Sequence, residues 1–199
     1  MQKLIFASNN AHKIEEVRSI LSSPYVVVSP KEIGVTSDPE ESADTLEGNA
    51  LIKVRALYKI VQAPCFADDT GLEVEALNGA PGVRSARYAS AEHDDKANRR
   101  LLLKELSSTP CPRKARFRTV IAYIDEAGQE HLFEGVVKGE IIKEERGNCG
   151  FGYDSIFVPM GATQTFAEMC ESEKNSISHR YKAVVALKEF LDSNTASEV

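Results

Sequence analysis

Between Lys3 and Ser29 a short apolar run, a helical-period segment and a second apolar run follow one another, and this alternation constrains the fold most. "KLIFAS" (3–8) is continuously apolar over a strand's length, which suits a buried strand. "NNAHKIEEVRSILSS" sets Ile14, Val17 and Leu21 at helical spacing with polar residues between them, and "YVVVS" (25–29) is a second strand. Residues 30–44 read as loop, and "TLEGNALIKVRALYKIVQ" (45–62) as a long helix with Leu46, Val54, Leu57 and Val61 on one face. Strand patterns return at "PCFAD" and "LEVEAL", and "NGAPG" predicts a turn. Residues 92–108 form a charged amphipathic helix; two β-rich runs then join at "EAGQ" as a hairpin. "RGNCGFGYDS" is a glycine-rich loop and "IFVP" a short strand. The last helix is expected to begin near "SISHR" and turn Val184, Leu187 and Phe190 inward, leaving 193–199 as a disordered tail. Helices alternating with strands around one embedded hairpin predict an α/β fold with a mixed sheet, in a single domain over 1–192.

A chain of 199 residues can bury a real core. Its net charge of -6 argues against the basic face that non-specific nucleic-acid binding needs, but leaves room for a small anionic substrate in a local cationic pocket. No apolar run reaches the roughly 20 residues that cross a bilayer, and the start lacks a signal-peptide core. The four cysteines, Cys65, Cys111, Cys149 and Cys170, form no CxxC, so reduced thiols in a cytoplasmic protein are the simplest expectation.

Four stretches can carry chemistry. "SNNAHK" (8–13) sits where a strand meets a helix, and free N–H groups at a helix start attract anions. Lys13 adds a full charge there; N-capping by Ser or Asn explains the same residues equally well. The acids come next. Asp68 and Asp69 are adjacent in "FADDTG", where a strand would end, and Asp38, Glu40 and Glu41 lie in the loop "DPEES". A turn and a solvated acidic loop account for them singly; together they offer the oxygens that a hard cation such as Mg2+ takes. In "GNCGFGYD" (147–154) three glycines admit close backbone approach, and Phe151 and Tyr153 offer faces for a base or plugs for a core. In "EKNSISHR" (173–180), Lys174, His179 and Arg180 gather at an expected helix start, where the dipole disfavours cations; a ligand acceptor or surface ion pairs would explain them.

Taken in order, these stretches resemble the inosine triphosphate pyrophosphatase family, the Ham1-like house-cleaning nucleotidases. "SNNAHK" resembles its phosphate motif, "EESADTLEGNA" its acidic loop and following helix, and "FADDTGLEVEALNGAPGVRSARY" its longest motif. "GFGYDSIFVP" and "KNSISHR" are similar to its base-recognition segments. The resemblance implies an elongated mixed sheet with flanking helices, two lobes around a substrate cleft, and a homodimer. It also implies Mg2+-dependent hydrolysis of ITP, dITP and XTP to monophosphate and pyrophosphate.

By position it implies that Ser8, Asn9, Asn10, Ala11, His12 and Lys13 hold the triphosphate. Asp69 is the catalytic proton acceptor, and Glu41, Asp68 and Asp69 serve the metal. Thr70, Phe151, Gly152, Tyr153, Asp154, Lys174, His179 and Arg180 contact substrate, with Phe151 stacking on the base. The chain departs from the family at Ser8-Asn9 (commonly Thr-Gly), Gly48 (commonly Glu), Ser155 (commonly Pro) and Tyr181 (commonly small). Donors from His179 and Arg180 would favour a 6-oxo purine over adenine. A nucleotide sensor without turnover, a structural protein that kept only the fold, and a pyrophosphatase for modified pyrimidines are the competing readings.

Overall fold

The structure is a computed structural model that describes residues 1–36 and 39–196; Asp38 of the acidic loop and residues 197–199 lie outside it. Seven strands form one mixed sheet in the order β2-β1-β3-β5-β6-β7, with β4 paired to β3. They are β1 (Gln2–Phe6), β2 (Tyr25–Val28), β3 (Cys65–Val74), β4 (Pro81–Gly82), β5 (Lys114–Ile124), β6 (Glu130–Ile141) and β7 (Phe157–Pro159). β1 runs parallel to β2 and β3, while β3–β4 and β6–β7 are antiparallel. The helices are α1 (Ala11–Ile20), α2 (Leu46–Val61), α3 (Asp95–Glu105), α4 (Glu171–Ile177) and α5 (His179–Ala196). Among the described residues no helix is long and apolar enough to cross a membrane.

The described residues divide into two compact units, one within 1–69, 119–135 and 179–196, the other within 70–118 and 136–178. In the first, α1 and α5 bury Val17, Leu21, Ala183, Val184, Leu187 and Leu191 with Leu4, Phe6, Val27, Phe66 and Ile121 of the strands. Phe6 and Phe66 stack with centroids 4.7 Å apart, which fixes β1 beside β3. In the second, Leu102 of α3 and Leu106, which caps its end, join Leu72, Phe117, Phe157 and Phe166 in a separate core.

Three expectations change. "CFAD" and the "LEV" of "LEVEAL" are one strand, β3, and Glu75–Leu77 is a 3-10 turn rather than strand, so the aspartate pair is mid-strand and the turn account fails there. The last helical region is two helices, because Ser178 takes extended angles (φ -65, ψ 156) between α4 and α5. The final helix continues to Ala196 rather than fraying from 193.

Candidate active site

The strand period answers the question that the adjacent aspartates raise. Successive side chains of a strand point to opposite faces, so Asp68 and Asp69 are turned apart and each bonds a different lysine. Asp68 shares the α1/α5 face with Phe66. Its Oδ1 accepts from Lys13 Nζ at 2.9 Å, and its Oδ2 accepts from Arg180 Nε and Nη2, both at 3.3 Å. Arg180 also donates through Nη1 to Glu16, a buried acid of α1. Asp69 shares the α2 face with Cys65, whose Sγ lies 3.8 Å from the Val54 carbonyl of that helix. There Asp69 accepts from Lys53 Nζ at 3.1 Å and from Asn49 Nδ2 at 3.4 Å.

Asn49 and Lys53 are four residues apart on α2, hence on one face, and they organise the acidic loop as well as the strand. Asn49 Oδ1 accepts the Ala43 N–H at 2.9 Å, while Lys53 Nζ lies 2.9 Å from Glu41 Oε1. Gly48 has a local reason here: a Cβ would stand 2.5 Å from Ala43 Cβ, so the glycine lets the loop lie against the first turn of α2. Thr45 caps that turn by accepting the Gly48 N–H at 3.1 Å.

The opposed faces also separate the charges of the two acids. Burial works against the Asp68 carboxylate, but Lys13, Arg180 and Lys53 outweigh it and hold its pKa well below the usual range. For Asp69 burial prevails over Lys53 and Lys13, with Glu41 adding to it, and the pKa is raised. Burial lowers the pKa of Lys13 against the pull of Asp68. Burial opposes the Lys53 ammonium too, yet Asp69, Asp68 and Glu41 raise its pKa.

At the start of α1 the capping account of "SNNAHK" has its structural counterpart. Asn10 is the N-cap, its Oδ1 accepting the Lys13 N–H at 3.2 Å, and Ser8 Oγ accepts the Asn10 N–H at 3.3 Å. Asn9, Ala11 and His12 are exposed around that helix start. Lys13 turns from it toward Asp68.

In the second unit the glycine loop folds around a carboxylate. Asp154 Oδ2 accepts the Phe151 N–H and the Lys174 ammonium, each at 2.9 Å. A Cβ on Gly150, where φ is +77, would fall 2.2 Å from that oxygen, so only glycine closes the loop this tightly. Lys174 Nζ stands 4.8 Å from the centre of the Phe151 ring, a cation–π contact. Phe151 is half-buried; Tyr153 is buried and donates its hydroxyl to the Ser85 carbonyl at 2.8 Å. Of the two aromatics, then, Tyr153 is the core plug and Phe151 the ring with a face to offer. Thr70 follows Asp69 on β3 and is half-buried. Ser155, at the family's proline position, donates to Glu145 at 3.1 Å.

The cationic segment corrects the sequence-based account of its charge. Lys174 lies in the last turn of α4, where the dipole favours a cation, and its partner is Asp154. Arg180 opens α5 fully buried, and Glu16 and Asp68 answer its charge within the first unit. His179 is buried beside it. Lys53, Asn49 and Glu16 were missed from sequence. The two on α2 had a signal, a polar pair at i and i+4 on a helix that follows the acidic loop; Glu16 had none beyond its place beside Val17.

Among the described residues no three His, Cys, Asp or Glu side chains form a ready-made metal centre. The donor set nevertheless suits a hard cation, because Glu41 and Asp69 direct oxygens at one positive centre, the Lys53 ammonium. Asp68, committed to Lys13 and Arg180, points to the other face.

An α/β chain with strand carboxylates set against lysines, beside a helix start flanked by polar side chains, is of the class that handles phosphorylated ligands. Residues 4–190 match the Ham1 family, and the chain belongs to it. It is 57% identical over 191 residues to a dITP/XTP pyrophosphatase of Porphyromonas gingivalis, covering 96% of this chain and 98% of that one. A dITP/XTP pyrophosphatase of Flavobacterium psychrophilum is 48% identical, covering 94% and 98%. Among solved structures, the Ham1 protein of Staphylococcus aureus superposes with a TM-score of 0.88 at 39% identity, covering 97% of this chain and all of that one.

Proposed function

We propose that this chain is a Mg2+-dependent nucleoside triphosphate pyrophosphatase that converts ITP, dITP and XTP to the monophosphate and pyrophosphate. The names of its relatives support the reaction and substrate class. The observation that carries it is the convergence of Glu41 and Asp69 on one cationic centre, with Asp68 held apart on the opposite face of β3.

In the proposed mechanism, the helix start at Ser8–Lys13 binds the polyphosphate, with the N–H groups of Ala11 and His12 and the Lys13 ammonium as donors. Glu41 and Asp69 would hold Mg2+, which would supply neutralisation of phosphate charge. Asp69 takes the proton of the water that attacks the α-phosphorus. Lys53 and Asn49 hold the base and the Glu41 loop in register. Phe151 stacks on the purine, Tyr153 and Asp154 hold the loop that carries that ring, and Lys174 is the donor for a 6-oxo group; His179 is proposed as a further substrate contact. Arg180 acts on Asp68 rather than on the base. Homodimeric assembly and action in the cytoplasm belong to the same proposal.

The test is a substrate panel of ITP, XTP, GTP and ATP, with Mg2+ or with EDTA, separating monophosphate and pyrophosphate from orthophosphate. ITP and XTP should be strongly preferred, and EDTA should abolish turnover. Orthophosphate as the first product, or equal use of ATP, would overturn the proposal.

A further inference from the structure

We infer that Asp95 and Arg99 of α3 are positioning residues that clamp the Gly152 peptide and thereby set the pose of Phe151, an assignment that rests on Phe151 receiving the purine. Asp95 Oδ2 accepts the Gly152 N–H at 2.7 Å, and Arg99 Nη1 donates to the Gly152 carbonyl at 2.7 Å. The two side chains are one helical turn apart on α3. They occupy both hydrogen-bonding groups of a single residue with opposite charges, and charge-assisted bonds of this kind are the stronger ones.

Gly152 needs such a clamp. Its φ is +60 and no atom lies within 4 Å of where a Cβ would be, so packing does not fix it. On one side Tyr153 is anchored in the core through Ser85. On the other stands Phe151, tied by its N–H to Asp154. The torsions of Gly152 are therefore the joint between an immobile aromatic and the one with a face to offer.

The clamp is itself braced. Arg99 Nε donates to Glu145 at 2.9 Å, and Glu145 also accepts from Ser155 on the far side of the loop. Buried Asn98, between the clamp residues, accepts the Ala89 N–H at 2.8 Å and donates to the Ala86 carbonyl at 2.9 Å. This fastens α3 to the same 85–89 segment that receives the Tyr153 hydroxyl. A helix that served only to cover the core through Leu102 and Leu106 would not need these polar bonds.

The experiment compares Asp95→Ala, Asp95→Asn, Arg99→Ala and Phe151→Ala with the unmodified protein. It records kcat and KM for ITP and ATP, and the hydrogen-exchange rate of the Gly152 amide. Asp95→Ala and Arg99→Ala should each raise KM for ITP about tenfold, the equivalent of one lost charge-assisted bond. In both, kcat should change by less than about twofold, because chemistry is assigned elsewhere, and the ITP/ATP ratio of kcat/KM should fall. Gly152 exchange should quicken in Asp95→Ala. Asp95→Asn keeps an acceptor and should recover most of both effects.

Phe151→Ala separates the two ideas. If it lowers the ITP/ATP ratio while the clamp variants do not, the positioning role is wrong and the loop still reads the purine. If it leaves both KM for ITP and the ratio unchanged, the assignment of the loop fails and the inference with it. An equal loss for ITP and ATP in the clamp variants, or unchanged Gly152 exchange, reduces Asp95 and Arg99 to structural contacts.

Discussion

Replacing Arg180 with methionine tests how the Asp68 face is built. The arginine is 2% exposed and serves two acids, Asp68, also 2% exposed, and Glu16, 7% exposed. Methionine fills much of the volume but leaves both carboxylates without this partner. Breaking a buried ion pair from one side costs about 3–5 kcal/mol. For a chain of this size each kcal/mol corresponds to roughly 2–4 °C in Tm, so Arg180→Met should melt about 10 °C lower at pH 7.

The pH dependence has a definite sign. In the unmodified protein the pKa of Asp68 is depressed, so its stabilisation is present above the unfolded value of about 3.9 and is lost as pH falls toward the folded value. In the variant only Lys13 and the more distant Lys53 oppose burial, the carboxyl pKa climbs, and acid relieves the uncompensated charge. The stability gap should therefore narrow between pH 7 and pH 4, as measured by urea unfolding at both. Because Arg180 holds Asp68 and Asp68 holds the Lys13 ammonium, which is proposed to meet the polyphosphate of every nucleotide alike, kcat/KM should fall by similar factors for ITP and ATP. An unchanged melting temperature, a gap that widens in acid, or a loss confined to ITP would refute this account and return Arg180 to base recognition.

Asp69→Asn keeps the size of the base and removes its charge; turnover should drop by roughly a hundredfold or more with the melting temperature little changed, and near-normal turnover would remove Asp69 from the mechanism. Lys53→Met leaves Glu41 and Asp69 without their shared ammonium, so the Asp69 pKa should rise further and the acidic limb of the pH–rate profile should move to higher pH; a limb that stays in place argues against Asp69 as the titrating base. Burial pushes the Cys65 thiol up to about 12, whereas Cys111, Cys149 and Cys170 are exposed. Iodoacetamide at pH 8 should accordingly modify those three in the native protein and Cys65 only after denaturation, and mass spectrometry of native samples carrying modified Cys65 would contradict its burial.

Much of this protein was legible in its sequence because the signals are local. The 3.6-residue period located α1, α2 and α3 to within a few residues, and short apolar runs located β1, β2 and β7. Motif order along the chain pointed to the family, and the bunching of acids and cations marked Asp68, Asp69 and Arg180, which the first unit pairs with charged partners. Boundaries failed where two local cues competed. Asp-Asp-Thr-Gly has the composition of a turn, yet it continues β3, because Lys13, Arg180 and Lys53 compensate carboxylates that would otherwise be too costly to bury in a sheet. Partnership was decided by tertiary structure alone. Lys53 is 16 residues from Asp69, Lys13 is 55 from Asp68, and Arg180 is 164 from Glu16. No periodicity encodes such pairings. They depend on which helix packs on which face of β3, and that face alternates with every residue, so two aspartates adjacent in sequence were given opposite surroundings and shifted in opposite directions.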